Sequence, residues 1–274
     1  MYGAIVGDII GSVYERHNTN DYNFKIFNFG NDRRSRFTDD TVLTVATASA
    51  LLKLPGVINV NPGVIKPEWF GTEYREFFKR FPNRGYGRGF AAWTQESIDV
   101  RGNSYGNGSA MRVSPVAWIY DDLDSVLEMA KVTALCSHSH EEGVKGAQAI
   151  ASCIFMARKG YTKDDIRDFV VSNFQYDLNA DIQELISASS FAACQASVPP
   201  AIKAFLDSSD YEDAIRKAVV LGGDSDTIAA MTGSIAEAYY KGVPLRLRAV
   251  AFLLLPVSMR KVIKQFESTY HVSL

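Results

Sequence analysis

Two short acidic stretches, far apart in the chain, have the composition of a cation-binding site. The first is Thr38-Asp39-Asp40-Thr41 in "RFTDDTVLTVATASALL"; the second is Asp224-Ser225-Asp226-Thr227 in "LGGDSDTIAAMTGSIAEAYYKG". Each sets two carboxylates beside a hydroxyl, directly ahead of an apolar helical run. Taken singly, each is a helix start: Thr38 serves as an N-cap, and carboxylates in a first turn meet the positive end of the helix dipole. Taken together, they can supply opposite halves of one oxygen-only cage. Asp224 and Asp226 lie about 200° apart around a continuous helix, so they converge only at an irregular start, which Gly222 and Gly223 permit. Four carboxylates within ~5 Å of one another repel by roughly 3 kcal/mol per pair at an effective dielectric of ~20. Two divalent cations would cancel those charges. Carboxylate and hydroxyl oxygens without imidazole or thiolate suit Mg²⁺ or Mn²⁺, and argue against zinc or copper.

Three further stretches carry side chains of interest. In "GAIVGDIIGSVYE" the glycines Gly3, Gly7 and Gly11 recur every fourth residue, a smooth stripe for a neighbouring helix or a ligand. Glu15, at the end of that stretch, reads on its own as a solvated helix-end residue, and Asp8, inside the apolar run, as a structural carboxylate that needs a partner if buried. In "SYGNGSAMRVSPVAW", Gly106-Asn107-Gly108 is a turn, Ser109 follows, and Ala110-Met111-Arg112 begin a short helix that stops at Pro115. Backbone N–H groups at such a start can receive phosphate oxygens, although most such turns are only turns. His138 and His140 in "CSHSHEEG" read as a polar surface loop, without the spacing of a zinc-protease helix.

The elements that must position these residues are helices. Apolar residues in 41–54 fall at helical spacing up to Pro55-Gly56, and Pro67 opens a second run closed by Pro82. The same pattern predicts helices over 122–136, 141–159, 164–172, 180–195, 210–221, 226–241 and 257–268, with Gly160 and Gly242 as C-terminal caps. The N-terminal run predicts a buried helix rather than a signal peptide, being short, carrying Asp8 and lacking a basic leader. Strand signals are poor; "GVINVNPGVI" is the one candidate hairpin. With no repeat, low-complexity tract or Pro/Ser-rich linker, the expectation is a single all-α domain over 1–274, built of ten or more helices.

Composition narrows the partners. The chain has 274 residues, 47% of them hydrophobic, and a formal net charge of −2. That balance argues against nucleic acid held through its phosphates. No apolar run approaches the ~18 residues needed to span a bilayer. Cys136, Cys153 and Cys194 are widely spaced and odd in number, so neither a disulfide framework nor a zinc cluster is indicated. A reducing, cytoplasmic compartment is expected.

The order GAIVGDIIGSVYE, FTDDT, GNGSAMRVSP, SHSHEEGVKGAQAIA and GGDSDTIAAMTGSIAEAYYKG resembles the ADP-ribosylglycohydrolase family. The resemblance implies a compact, multi-helix orthogonal bundle with two Mg²⁺ or Mn²⁺ ions in a central cleft. It implies Thr38, Asp39, Asp40, Asp224, Asp226 and Thr227 as metal ligands and Glu15 as the acidic residue facing the scissile bond. It further implies Asn107, Gly108 and Ser109 beside the diphosphate, and His138 lining the ADP-ribose cleft. The histidine segment departs from the family's common T-H-x-H-P, having Glu141 where proline is usual. The expected activity is hydrolysis of the glycosidic bond between ADP-ribose and an acceptor, a protein side chain (arginine by analogy) or a small ADP-ribose conjugate. The alternatives are a two-metal nucleotide phosphohydrolase and an inactive structural or ADP-ribose-binding relative.

Overall fold

Two helices that are almost wholly buried form the centre of the molecule. A computed structural model describes residues 1–15, 17–30, 33–54, 56–179 and 192–270. Helix α1 (Tyr2–Gly11) is buried along its entire length, and α11 (Ser225–Tyr239) along all but its last residue. A helix apolar on every face belongs in a core rather than at a surface, and these two pack on each other more extensively than any other pair. The glycine stripe explains how. A Cβ on Gly3 would lie 2.0 Å from the Gly233 carbonyl oxygen, one on Gly7 2.1 Å from that of Ala229, and one on Gly11 2.5 Å from Asp226 Cα. The two helices therefore run antiparallel with their backbones nearly touching, and the end of α1 meets the start of α11. Glu237 locks the opposite end: its carboxylate accepts from the Met1 ammonium, from Gly3 N at 2.8 Å and from Tyr2 N at 3.1 Å. Those are donors that a helix N-terminus leaves unsatisfied.

The third central helix, α2 (Asp39–Lys53), is buried from Asp40 to Leu51 and packs beside α1. Around these lie α3 (Glu68–Arg80), α4 (Arg88–Trp93), α5 (Gly108–Met111), α6 (Leu123–Leu135), α7 (Glu141–Lys159) and α8 (Lys163–Phe174). The series continues with α9 (Cys194–Leu206), α10 (Tyr211–Val220), α12 (Leu245–Leu254) and α13 (Val257–Tyr270). Helices α7, α9 and α10 cover α11, while α3 and α13 cover α2. Among the described residues there is no strand, only isolated bridges at Asn103–His138 and Gly106–Ala193. The protein is all-α, as the periodicity predicts.

Three local expectations are corrected or refined. The stretch 56–65 is not a hairpin but a pair of 3-10 turns, Val57–Asn59 and Pro62–Val64; the Asn61 side chain accepts from Gly63 N at 2.9 Å and closes the second turn on itself. Gly160 is a left-handed cap at φ 87°; after α11 Lys241, at φ 59°, takes the left-handed position first, and Gly242, also at positive φ (134°), closes the helix end by donating its N–H to Glu237 O at 2.9 Å. Most of the helix expected over 180–195 lies outside the described residues. From Ala192 onward the chain is a turn and a bridge, and the helix starts only at Cys194, running through Pro199 and Pro200 to Leu206.

Candidate active site

The two acidic stretches meet. Thr227 Oγ1 donates to Asp40 Oδ2 at 3.2 Å across 187 positions of sequence, and Thr38 Oγ1 lies 3.3 Å from the same oxygen. At the α2 start the cap reading holds: Thr38 is the N-cap, accepting weakly from Asp40 N at 3.4 Å, with Asp39 and Asp40 in the first turn. At the α11 start the irregularity needed for convergence is present. Gly222 and Gly223 both have positive φ, 76° and 71°, and Asp224 is non-helical, so Asp226 begins the helix from a different direction.

Asp8 has the partners that its reading as a buried structural carboxylate requires, and it also stands beside the acidic cluster. Its Oδ2 accepts from Thr38 N at 2.9 Å, Thr41 N at 3.1 Å and the Thr41 hydroxyl, and its Oδ1 accepts from the Thr38 hydroxyl at 2.7 Å. Four donors make its charge tolerable in the core and pin the start of α2 to α1. Oxygens of Asp8, Asp40 and Asp226 all lie within 4.8 Å of one another. The available signal was the charge itself: an aspartate in a helix with no exposed face must find several donors.

The electrostatics follow from this crowding. Burial holds the Asp40 and Asp226 carboxyls well above the ordinary aspartate range, and neighbouring aspartates push them further. Burial and the Asp8 charge push Asp39 up to about 8. Asp8 rises only to about 6, because the Thr41 and Thr38 donors oppose its burial. Asp224 is raised by burial against the Asn107 amide, which donates to its Oδ2 at 2.7 Å. Asp40 Oδ1 is buried with no hydrogen-bond partner. A buried, unpartnered carboxylate oxygen among like charges fits a hard divalent cation, and the donor set contains neither imidazole nor thiolate.

One cleft of about 910 Å³ unites most of the expected residues. Asp39, Asp40, Asp224, Asp226 and Thr227 line its acidic end together with Glu15, which is half-buried and whose charge contributes to raising Asp39, Asp224 and Asp226. Asn107, Gly108 and His138 also line the cleft, as do the apolar side chains of Leu43, Phe90, Trp93 and Met111, which the sequence did not single out. Two expected residues do not reach the cleft. Thr38 stands behind it, bonded to Asp8 and Asp40; Ser109 is fully buried and donates to the Gly143 carbonyl at 2.6 Å. His140 is not a site residue but the N-cap of α7, accepting from Glu142 N at 3.1 Å.

Fold and site thus define a class, an all-helical protein with an oxygen-donor cluster at one end of a cleft of ligand-binding size. A sequence profile of the ADP-ribosylglycohydrolase family matches residues 1–267. The ADP-ribosylhydrolase ARH3 of Homo sapiens is 25% identical over 88% of this chain and 84% of its own length. The ADP-ribosylarginine hydrolase Tri1 of Pseudomonas putida is 24% identical over 89% of this chain and 71% of its own. A solved structure described as an ADP-ribosylglycohydrolase-related protein complex superposes with a TM-score of 0.71, covering 99% of this chain and 95% of that one at 21% identity, which supports the fold. The chain belongs to the ADP-ribosylglycohydrolase family, and by that membership is a glycohydrolase.

Proposed function

We propose that this protein hydrolyses the bond between the anomeric carbon of ADP-ribose and an acceptor, with two Mg²⁺ or Mn²⁺ ions at the acidic end of the cleft. The observation that carries the reading is the meeting of Asp40 and Thr227 beside an unpartnered buried carboxylate oxygen. Asp39, Asp40, Asp224, Asp226 and Thr227 would hold the ions, with Thr38 as a ligand or as the donor that orients Asp40. What such cations supply when bound is charge neutralisation and Lewis acidity toward oxygen.

The chain's own residues account for the remaining steps. Water adds to the anomeric carbon, the bond to the acceptor breaks, and the acceptor leaves with a proton. Glu15, half-buried at the rim of the acidic end, delivers that proton or takes one from the attacking water. The anionic end stabilises the positive charge that builds on the sugar ring. The loop at Asn107 and Gly108, with His138 beside it, holds the diphosphate, and Asp224 fixes the Asn107 amide. Binding at that distance from the reacting bond orients it. The acceptor we assign is arginine, the linkage named in the Pseudomonas relative. The free thiols of Cys136, Cys153 and Cys194 support a reducing cytoplasmic setting. No helix among the described residues is long and apolar enough to cross a membrane.

The test is a panel of peptides carrying arginine-linked or serine-linked ADP-ribose, together with small ADP-ribosyl conjugates, assayed with Mn²⁺ and with chelator. Release of free ADP-ribose from the arginine linkage, abolished by chelator, is the expected result. Phosphate release from nucleotides without free ADP-ribose would replace this reading with a phosphohydrolase.

A further inference from the structure

No lysine or arginine lines the cleft among the described residues, so an anionic ligand must be held there by neutral donors. His138 is one candidate, but a neutral imidazole donates from only one nitrogen, and which one decides whether it attracts or repels a phosphate oxygen. The surroundings of its ring settle the choice. His138 Nδ1 lies 2.8 Å from Ser137 Oγ, and that same oxygen accepts from Arg112 Nη2 at 2.8 Å. With the arginine occupying one lone pair, Nδ1 at 2.8 Å is the strongest acceptor for the hydroxyl hydrogen among the described residues; the Cys136 sulfur, 3.8 Å away with its own S–H directed also at Thr133 O, is a far weaker one. The hydroxyl therefore donates to Nδ1, and the ring proton sits on Nε2. That atom faces the glycine turn: a Cβ on Gly108 would lie 2.9 Å from it, and one on Gly106 3.8 Å.

Arg112 is built for this position. It is completely buried, its guanidinium stacks 4.0 Å from the centre of the Tyr74 ring, and it has no carboxylate partner among the described residues. It also donates to Thr133 O at 3.3 Å and interacts with the Tyr74 hydroxyl, and its Nε and Nη1 have no clear hydrogen-bond partner among the described residues. A buried, uncompensated cation is unfavourable unless an anion arrives nearby. Burial and this same charge hold the His138 ring well below the ordinary histidine range, which keeps it neutral.

We propose that Arg112 and Ser137 are positioning residues that lock His138 as the Nε2–H tautomer, so that its ring donates to a phosphate oxygen of the ligand's diphosphate. The proposal rests on the reading of the Gly106–Gly108 turn as the diphosphate cradle, and adds what lies behind it. It also gives a use to an arginine that would otherwise be a buried charge with no purpose.

The experiment has one arm that is independent of catalysis. Long-range ¹H–¹⁵N NMR of the four histidines at pH 7.5, with His138 assigned by His138→Gln, reads the tautomer directly; Nε2–H is expected, and Nδ1–H in the wild type overturns the proposal. The second arm is calorimetric binding of ADP-ribose and of Mn²⁺. Ser137→Ala is expected to bind ADP-ribose about ten-fold more weakly, with KM raised similarly, kcat within about two-fold and Mn²⁺ affinity unchanged. Ser137→Thr, which keeps the hydroxyl, is expected to restore both tautomer and affinity. Equal losses for ADP-ribose and Mn²⁺ in Ser137→Ala would show general distortion, and unchanged ADP-ribose affinity an idle relay; either overturns the proposal. An Nε2–H tautomer with intact ADP-ribose binding in a protein that cleaves no ADP-ribosyl linkage would instead fault the proposed function and leave the relay standing.

Discussion

Asp40 Oδ2 accepts from the Thr227 hydroxyl and lies 3.3 Å from that of Thr38, whereas Oδ1 is buried among other carboxylates without a donor. An asparagine there keeps the first set of bonds and places an amide donor where the repulsion is greatest. We expect Asp40→Asn to raise the melting temperature of metal-free protein by about 2–4 °C, in the range of a 1 kcal/mol gain, and to abolish stabilisation by Mn²⁺. Scanning calorimetry with and without the ion checks both; a lower melting temperature with the Mn²⁺ response intact would contradict it. Glu15 has a different role, on the proton rather than the cation. Glu15→Gln is expected to lower kcat by about 10²–10⁴-fold while ADP-ribose and Mn²⁺ affinities stay within a few-fold. At this scale the sequence was informative for residues whose types are unusual together, the paired aspartates with their threonines. It did not reveal that Asp8 stands beside Asp40 and Asp226, or that Ser109 is turned away from the cleft toward the Gly143 carbonyl, because both depend on which groups face them across helix contacts.

The glycine stripe of α1 carries the next scale. Its close approach to α11 sets where Asp226 stands relative to Asp8 and Asp40, since a Cβ on Gly11 would strike the Asp226 backbone itself. Gly7 is the next probe, about one turn of α11 beyond Asp226, where the added methyl would meet the Ala229 carbonyl. Gly7→Ala is expected to lower the melting temperature by about 5–10 °C through overpacking, and to weaken Mn²⁺ binding by shifting α1 along α11. Retained stability would mean that the helices are less tightly apposed than described. Long periodic helices such as α6 and α7 were legible because one face repeats every third or fourth residue. Helix α9 was not, since Pro199 and Pro200 look like a break; both sit past its first turn, and the helix is held by burial against α7, α10 and α11. The 57–64 turns show the converse error, in which valine and isoleucine suggested strands while asparagine and proline closed the backbone locally.

For the whole molecule, the acidic cluster links stability to pH and to cations. Asp39, Asp40, Asp224 and Asp226 all hold their protons more tightly in the fold than in an unfolded chain. The native state thus binds more protons above about pH 4, and metal-free stability falls as pH rises through the folded values, up to about 8 for Asp39. His138 works in the opposite sense, but only below its ordinary value of 6.5. Between pH 6.5 and 8, then, the melting temperature of metal-free protein is expected to fall, and with Mn²⁺ present to rise, because cations bind the deprotonated cluster. A flat profile in both would contradict the electrostatic picture. What the sequence could not contain is the distance between residue 40 and residue 227; only the packing of α1, α2 and α11 makes them neighbours. The most direct measurement of that neighbourhood is anomalous diffraction at the manganese edge from crystals grown with Mn²⁺. Two adjacent peaks are expected, bounded by Asp39 and Asp40 on one side and Asp224 and Asp226 on the other; a featureless map there, with Mn²⁺ bound elsewhere or not at all, would contradict a shared cation site.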